Sequence, residues 1–259
     1  MTQNIDSSIN NQKSSLIPIT VIGVLFFIFG FITWLNGTLI PFLKIACELN
    51  SVQAYFVTLA FYIAYFFMAP PSTIVLHKVG FKNGMALGLF VMALGSLVFI
   101  PAALTRTFGL FLTGLFIQGT GLALLQTASN PYVVVLGPRE SAAKRISIMG
   151  ICNKVAGAIS PLILGAVILN QDTTDTMHKL EVITGADRLP LLDALAHKVI
   201  LPYIIIAISL ALLSVALKFI HLPDIDTDKE EPSEMATGTH KTAWWQFPHL
   251  WIGFVTLFL

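Results

Sequence analysis

The chain has 259 residues, of which 55% are hydrophobic and only 11% charged, and its formal net charge is +1. An ordinary soluble domain carries about 25% charged residues, so the deficit excludes that class and points to lipid as the surrounding solvent. Near-neutral charge carries no basic footprint, and no nucleic-acid partner is expected.

The apolar residues fall into long, nearly uncharged runs, each close to the roughly 20 residues a helix needs to cross about 30 Å of hydrocarbon. Six full runs occur: Ile17 to Phe42, Tyr55 to Leu76, Met85 to Leu104, Phe108 to Leu136, Ile146 to Leu169 and Val199 to Ile220. A seventh starts near Phe247 and stops at Leu259. Its roughly 13 residues are too few to span, so the chain is expected to be cut inside a seventh helix. Backbone amides find no water in lipid, and the alternation of a β-barrel is missing, so the runs are read as helices. The expected organisation is a cytoplasmic tail at 1–16, a six-helix transmembrane bundle at 17–221, an acidic cytoplasmic linker at 222–242 and the start of a seventh helix at 243–259.

Lysines and arginines in short loops orient such a bundle. Lys78, Lys82, Arg139, Lys144 and Arg145 follow the second and fourth helices, against Lys44 and Arg106 after the first and third. This bias places the amino terminus in the cytoplasm. Met1 to Ser15 lacks the basic region and cleavage site of a signal peptide. Cys47 and Cys152 have no metal-ligand spacing and are read as packing residues. The loop Asn170 to Lys198, with five acids and three Lys/Arg, reads as a solvated hairpin or short surface helix on the outer side.

Within the runs, Gly23, Gly30 and Gly37 recur every seven residues and form one stripe that lets a neighbouring backbone or a ligand approach. Gly84 and Gly88 make a small-xxx-small contact. Pro70, Pro71, Pro131 and Pro161 are expected to bend or unwind their helices.

Polar residues inside the runs are the functional signal, because polarity facing lipid is costly. They are Thr33, Trp34, Asn36 and Thr38 in the first helix and Tyr62 and Tyr65 in the second. The fourth contributes Gln118, Gln126, Thr127 and Asn130, and the fifth Ser147, Asn153, Lys154 and Ser160. Gln126 and Asn130, four apart, share a face, as do Asn153 and Ser160 at seven. Amides both donate and accept, which suits the hydroxyls of a pyranose, while Trp34 or Tyr62 can cover its apolar C–H face. The same residues also serve membrane bundles as glue between helices, worth about 0.6 kcal/mol each.

Lys154 lies nine positions beyond Arg145, about 13 Å deep at 1.5 Å per residue. Its stem, roughly 6 Å, is too short to snorkel out of lipid, so it is expected to face a watered cavity or a partner. All 14 Asp and Glu residues fall in tails or loops. Proton symport commonly runs through an intramembrane carboxylate, so proton coupling would need groups outside these runs. A sodium site of neutral oxygens, uniport, or Lys154 as a fixed internal cation stay open.

The string GLFIQGTGLALLQTASNPYVVVLGP, Gly114 to Pro138, resembles the fucose–galactose–glucose symporter family of the major facilitator superfamily, with the glucose/galactose branch nearest. FFIFGFITWLNGTLIPFLK in the first helix and AFYIAYFFMAPPS in the second resemble it too. The resemblance implies the N-terminal half of a twelve-helix transporter: an all-α six-helix half-bundle of two inverted three-helix repeats, completed by a C-terminal six-helix half. It implies alternating-access transport of a hexose across the bacterial inner membrane, with sodium or a proton as coupling ion and no other cofactor. Carried over residue by residue, it implies substrate contacts at Asn36, Gln126, Asn130 and Asn153. Trp34 and Tyr62 join them on chemistry, and Lys154, Gly37, Thr127 and Pro131 are candidates for coupling or conformational change. Members that couple fucose to protons carry an aspartate where this chain has Gly37 and a glutamate where it has Gln126. HKVGFKNG, His77 to Gly84, is a degenerate form of the superfamily signature between helices two and three.

The competing class is a non-transporting membrane sugar sensor, or a truncated half that acts only as an assembly partner. An enzyme is not expected: the six histidines lie in loops or near helix ends, with no nucleophile or metal spacing beside them.

Overall fold

The computed structural model describes residues 2–168, 171–183, 185, 187–220, 222, 251–253 and 256, with side chains from residue 18 onward except at a few helix-end positions. They divide into two compact units, Met1–Ile225 and Asp226–Leu259. In the second, a helical stretch at 251–253 is described, together with Thr256, whose hydroxyl donates to the carbonyls of Ile252 and Gly253. The linker expected at 222–242, apart from Leu222, and most of the helix expected from 243 lie outside the described residues.

The first unit runs α1 (Thr2–Ala46), α2 (Ser51–Thr105), α3 (Phe108–Val135), a 3-10 turn at Arg139–Ser141, α4 (Ala142–Ile168), α5 (Gln171–Val182), α6 (Arg188–His197) and α7 (Ile200–Phe219). There is no strand among the described residues. Five stretches are long and apolar enough to cross a membrane: Pro18–Ala46, Ser51–Thr105, Phe108–Val135, Ala142–Ile168 and Arg188–Phe219. The helical backbone of α1 also reaches back through the polar start of the chain.

At about 1.5 Å per residue, the 55 residues of α2 would run far beyond one hydrocarbon thickness. Its backbone leaves the helix at Gly80, with φ 78° and ψ 166°. A side chain rarely tolerates that conformation, and glycine adopts it without steric cost. The break makes α2 two crossings, covering the second and third expected runs. The helices do not unwind at the prolines, since helical backbone continues through Pro70, Pro71, Pro131 and Pro161. Neighbouring helices and hydroxyls can re-satisfy the carbonyls that membrane prolines free.

Short turns at 47–50 and 106–107 lie at one end of the bundle and the Gly80 break at the other, so α3 is antiparallel to α1 and α4 parallel to it. The second half of α2 meets α3 backbone to backbone. A Cβ added at Gly88 would lie 2.8 Å from the Gly121 carbonyl oxygen, and one at Gly95 would lie 2.6 Å from the Gln118 nitrogen. Gly84 instead faces Leu76 of its own helix, across the Gly80 break. α7 closes on the second half of α2, where the buried Ser214 hydroxyl donates to the Ala86 carbonyl at 2.7 Å.

The segment read as a solvated hairpin or short surface helix forms two short helices, α5 and α6, and it is not free of the bundle. Leu192, Leu195 and Ala196 of α6 are buried. Arg106 Nε pairs with Asp193 Oδ1 at 2.6 Å, and Arg188 Nη2 with Glu48 Oε1 at 3.1 Å. These ions pin α6 to both short turns, so its apolar stripe covers the end of the bundle. Both cysteines are free and half-buried, in keeping with packing roles.

Candidate functional site

Four spans meet in one buried hydrogen-bond chain. Asn36 Nδ2 of α1 donates to Gln118 Oε1 of α3 at 3.1 Å, and Gln118 Nε2 donates to Ser96 Oγ of α2 at 2.6 Å. Ser96 donates onward to the Met92 carbonyl, and the Tyr203 hydroxyl of α7 donates to Asn36 Oδ1 at 3.0 Å. Phe99 stacks on the Tyr203 ring with centroids 3.8 Å apart and meets Phe111 edge-on. Asn36 is only 4% exposed, and both ends of its amide are engaged. The residue expected to touch substrate thus joins helices, because a buried amide in lipid is costly unless it is paired. Ser96 and Tyr203 were not singled out from the sequence. Ser96 is the lone hydroxyl of its apolar run and Tyr203 one of three in the last, with Ser209 and Ser214, but partners tens of residues apart are not readable from spacing.

A second seam joins α1 to α4. A Cβ at Gly30 would overlap the Asn153 carbonyl oxygen. Asn153 Nδ2 donates to the Phe26 carbonyl at 3.3 Å and Ser160 Oγ to the Phe31 carbonyl at 2.8 Å. The Trp34 ring lies on Gly157, where an added Cβ would sit 2.5 Å from Cδ1. Seven residues on from Gly30, nothing lies within 4 Å of a Cβ added at Gly37.

The remaining candidates are uncovered. Gln126 is half-buried and Asn130 exposed, and neither amide has a hydrogen-bond partner among the described residues. Trp34 is 49% and Tyr62 52% exposed. The Tyr62 and Tyr65 rings lie 6.3 Å apart. Lys154 is exposed, with no ion-pair or hydrogen-bond partner among the described residues. On α4 it falls in a stripe of small and polar residues at three- and four-residue steps: Ser147, Gly150, Lys154, Ala158, Pro161 and Gly165. The bulky Ile148, Ile151, Val155 and Leu162 occupy a different face. Pro131 is exposed on α3 beside Asn130. The hydroxyls of Thr38, Thr127 and Ser147 donate back to carbonyls four residues earlier.

Helix rise sorts these groups by depth. Gln118 is level with Asn36, so Gln126, eight residues along the antiparallel α3, lies about 12 Å nearer the Gly80 end. Phe26 and Gly30, where Asn153 meets α1, lie about 9 to 15 Å in the same direction from Asn36. Gln126, Asn153 and Lys154 thus share one layer, and Trp34 and Tyr62 belong to a layer nearer Asn36. No hydrogen bond among the described residues joins Gln126 or Asn130 to the aromatic layer.

Arg145, counted in the sequence as a loop charge, is buried. Its guanidinium donates to the carbonyls of Val133 (2.9 Å), Val134 (2.8 Å), Gly137 (3.3 Å) and Pro138 (3.1 Å) and to Ser141 Oγ (2.6 Å). It caps the end of α3, whose last carbonyls have no helical donors and carry the negative end of the helix dipole. The stop signal Gly137-Pro138, with an arginine a few residues beyond, was the available clue.

The Major Facilitator Superfamily model matches residues 22–259. The glucose/galactose transporter of Brucella abortus biovar 1 (strain 9-941) is 33% identical over 250 residues, covering 96% of this chain and 56% of that protein. The L-fucose-proton symporter of Escherichia coli (strain K12) is 31% identical over 237 residues, 90% of this chain and 53% of its own length. The chain spans about half the length of the curated relatives it matches. Among solved structures, the E. coli fucose:proton symporter FucP superposes with TM-score 0.68 at 31% identity, covering 81% of this chain and 50% of that one. FucP in the outward conformation gives TM-score 0.71 at 31% identity, covering 84% and 53%. On the family match, these relatives and its apolar helices, the chain is a multi-pass membrane protein that belongs to the Major Facilitator Superfamily.

Proposed function

We propose that the chain forms the N-terminal half of a transporter that carries a neutral hexose, such as glucose or galactose, across the bacterial inner membrane by alternating access. In this reading residues 17–221 are the six-helix half, two inverted three-helix repeats with the amino terminus in the cytoplasm. Residues 222–242 are the linker and 243–259 begin the seventh helix of a second half.

One observation carries the reading: the Gln126 and Asn130 amides are unpartnered on a half-open face, a layer nearer the Gly80 end than the exposed aromatic rings. A pyranose needs donors and acceptors for its hydroxyls and a ring face for its C–H groups, and no opposite charge. Gln126, Asn130 and Asn153 supply the first, and Trp34 and Tyr62 the second. Asn36 acts behind them by holding α1 against α3 and α7. The names of the relatives in Brucella and E. coli support a sugar substrate. Lys154, with no acid within the runs, serves as a fixed cation, and Gly37, Thr127 and Pro131 leave room for α1 and α3 to move.

Uptake of labelled glucose and galactose by cells expressing the full-length protein tests the proposal. Accumulation is expected, with a Gln126→Ala variant losing about tenfold, the order of one or two hydrogen bonds. No uptake, or a Gln126→Ala variant that transports normally, rejects it.

A further inference from the structure

Between the second half of α2 and α7, at the end of the bundle that carries the Gly80 break, lies a groove of about 610 Å³. Lys78 and Lys218 stand on its rim, and Leu87, Phe90 and Val215 form its walls. Both lysines are exposed, and neither ammonium has a hydrogen-bond or ion-pair partner among the described residues. A third lysine, Lys82, donates from Nζ to the Lys218 carbonyl at 3.0 Å, adding charge and tying α2 to the last turn of α7. Neither α2 nor α7 contains an acid to balance them. Below the rim the wall turns apolar: Phe90 is 48% and Val215 53% exposed. Phe90 lies seven residues past Asn83, about 10 Å deeper along α2.

We propose that this groove binds an anionic phospholipid, with its phosphate between the Lys78 and Lys218 ammoniums and the upper part of an acyl chain along Leu87, Phe90 and Val215. Charge complementarity selects the headgroup, since basic residues at a membrane surface attract anionic lipids. The apolar wall distinguishes a lipid from a free anion, which would leave that wall bare. An ammonium pair at headgroup level, opening downward onto uncovered hydrocarbon surface, matches one amphiphile and no small polar solute.

The test uses the full chain, purified in mild detergent and presented with mixed micelles of phosphatidylglycerol and phosphatidylcholine, with bound lipid counted by native mass spectrometry. Phosphatidylglycerol is expected to be retained over phosphatidylcholine, and a Lys78→Gln/Lys218→Gln variant to lose that preference by roughly tenfold or more. Lys78→Arg/Lys218→Arg should keep it, which separates lost charge from misfolding, and Lys44→Gln at the opposite end should leave it unchanged. Equal retention of the two lipids, or unchanged preference in the glutamine variant, overturns the proposal. Displacement by millimolar inorganic phosphate also overturns it, by marking a free-anion site. So does binding that appears only after Asp224, Asp226, Asp228, Glu230 and Glu231 are neutralised, which would make the acidic stretch of this chain the occupant.

Discussion

At Gly30 one methyl group would meet the Asn153 carbonyl oxygen, which belongs to backbone and cannot swing aside. Gly30→Ala is therefore expected to destabilise the purified protein by about 1–3 kcal/mol, while Gly37→Ala, seven residues on in open space, leaves its melting temperature unchanged. Gln118→Ala orphans the Asn36 amide donor and should cost about 1 kcal/mol in the same thermal assay. At Cys47, burial pushes the thiol up to about 11, against the opposing pull of the Arg106 guanidinium. Its thiolate is then about a hundredfold scarcer at neutral pH than that of an ordinary cysteine. Maleimide labelling of a Cys152→Ala protein should accordingly be slow at pH 7 and accelerate with pH until near 11, and fast labelling at pH 7 would contradict the burial. The stripe of Gly23, Gly30 and Gly37 was legible as a stripe, but which of the three touches a neighbour depends on where α4 crosses. In the same way, spacing within one helix marked Asn36 and Gln118 as polar, but not that they answer each other across 82 residues.

The helical runs were readable because lipid forces long apolar segments into one backbone form. The ends of elements were harder. Four prolines drew the expectation of bends or unwinding, yet the backbone leaves the helix at Gly80, where its conformation itself demands glycine. The segment 170–198 looked solvated by its charge count. Two of its ions, Arg188 and Asp193, instead pair with Glu48 and Arg106, and pairing of that kind has no signature in composition. Arg145 is the clearest case for a test, because five hydrogen bonds converge on one side chain at the end of α3. Arg145→Met should fray the last turn, so that amides of residues 133–137 exchange hydrogen faster while those near Gly121 do not change. Uniform exchange in the two proteins would show that the cap is dispensable.

For the whole molecule, the distribution of charge governs the energetics of transport. All 14 acids lie outside the runs read as spans, so the proposed transporter finds no carboxylate proton relay in this half. Sugar accumulation is expected to rise with external sodium and to persist when an uncoupler collapses the proton gradient, and the reverse pattern would assign coupling to protons. The hydrogen-bond chain through Asn36 has a consequence for how such a protein is made. Synthesis delivers Asn36 first and Tyr203 167 residues later. Until that tyrosine leaves the ribosome, the opening helix sits in the bilayer with one acceptor waiting, and earlier arrivals can dock and undock around it. The crossing that carries Tyr203, rather than the first pair of helices to meet, is the one that completes this chain of hydrogen bonds.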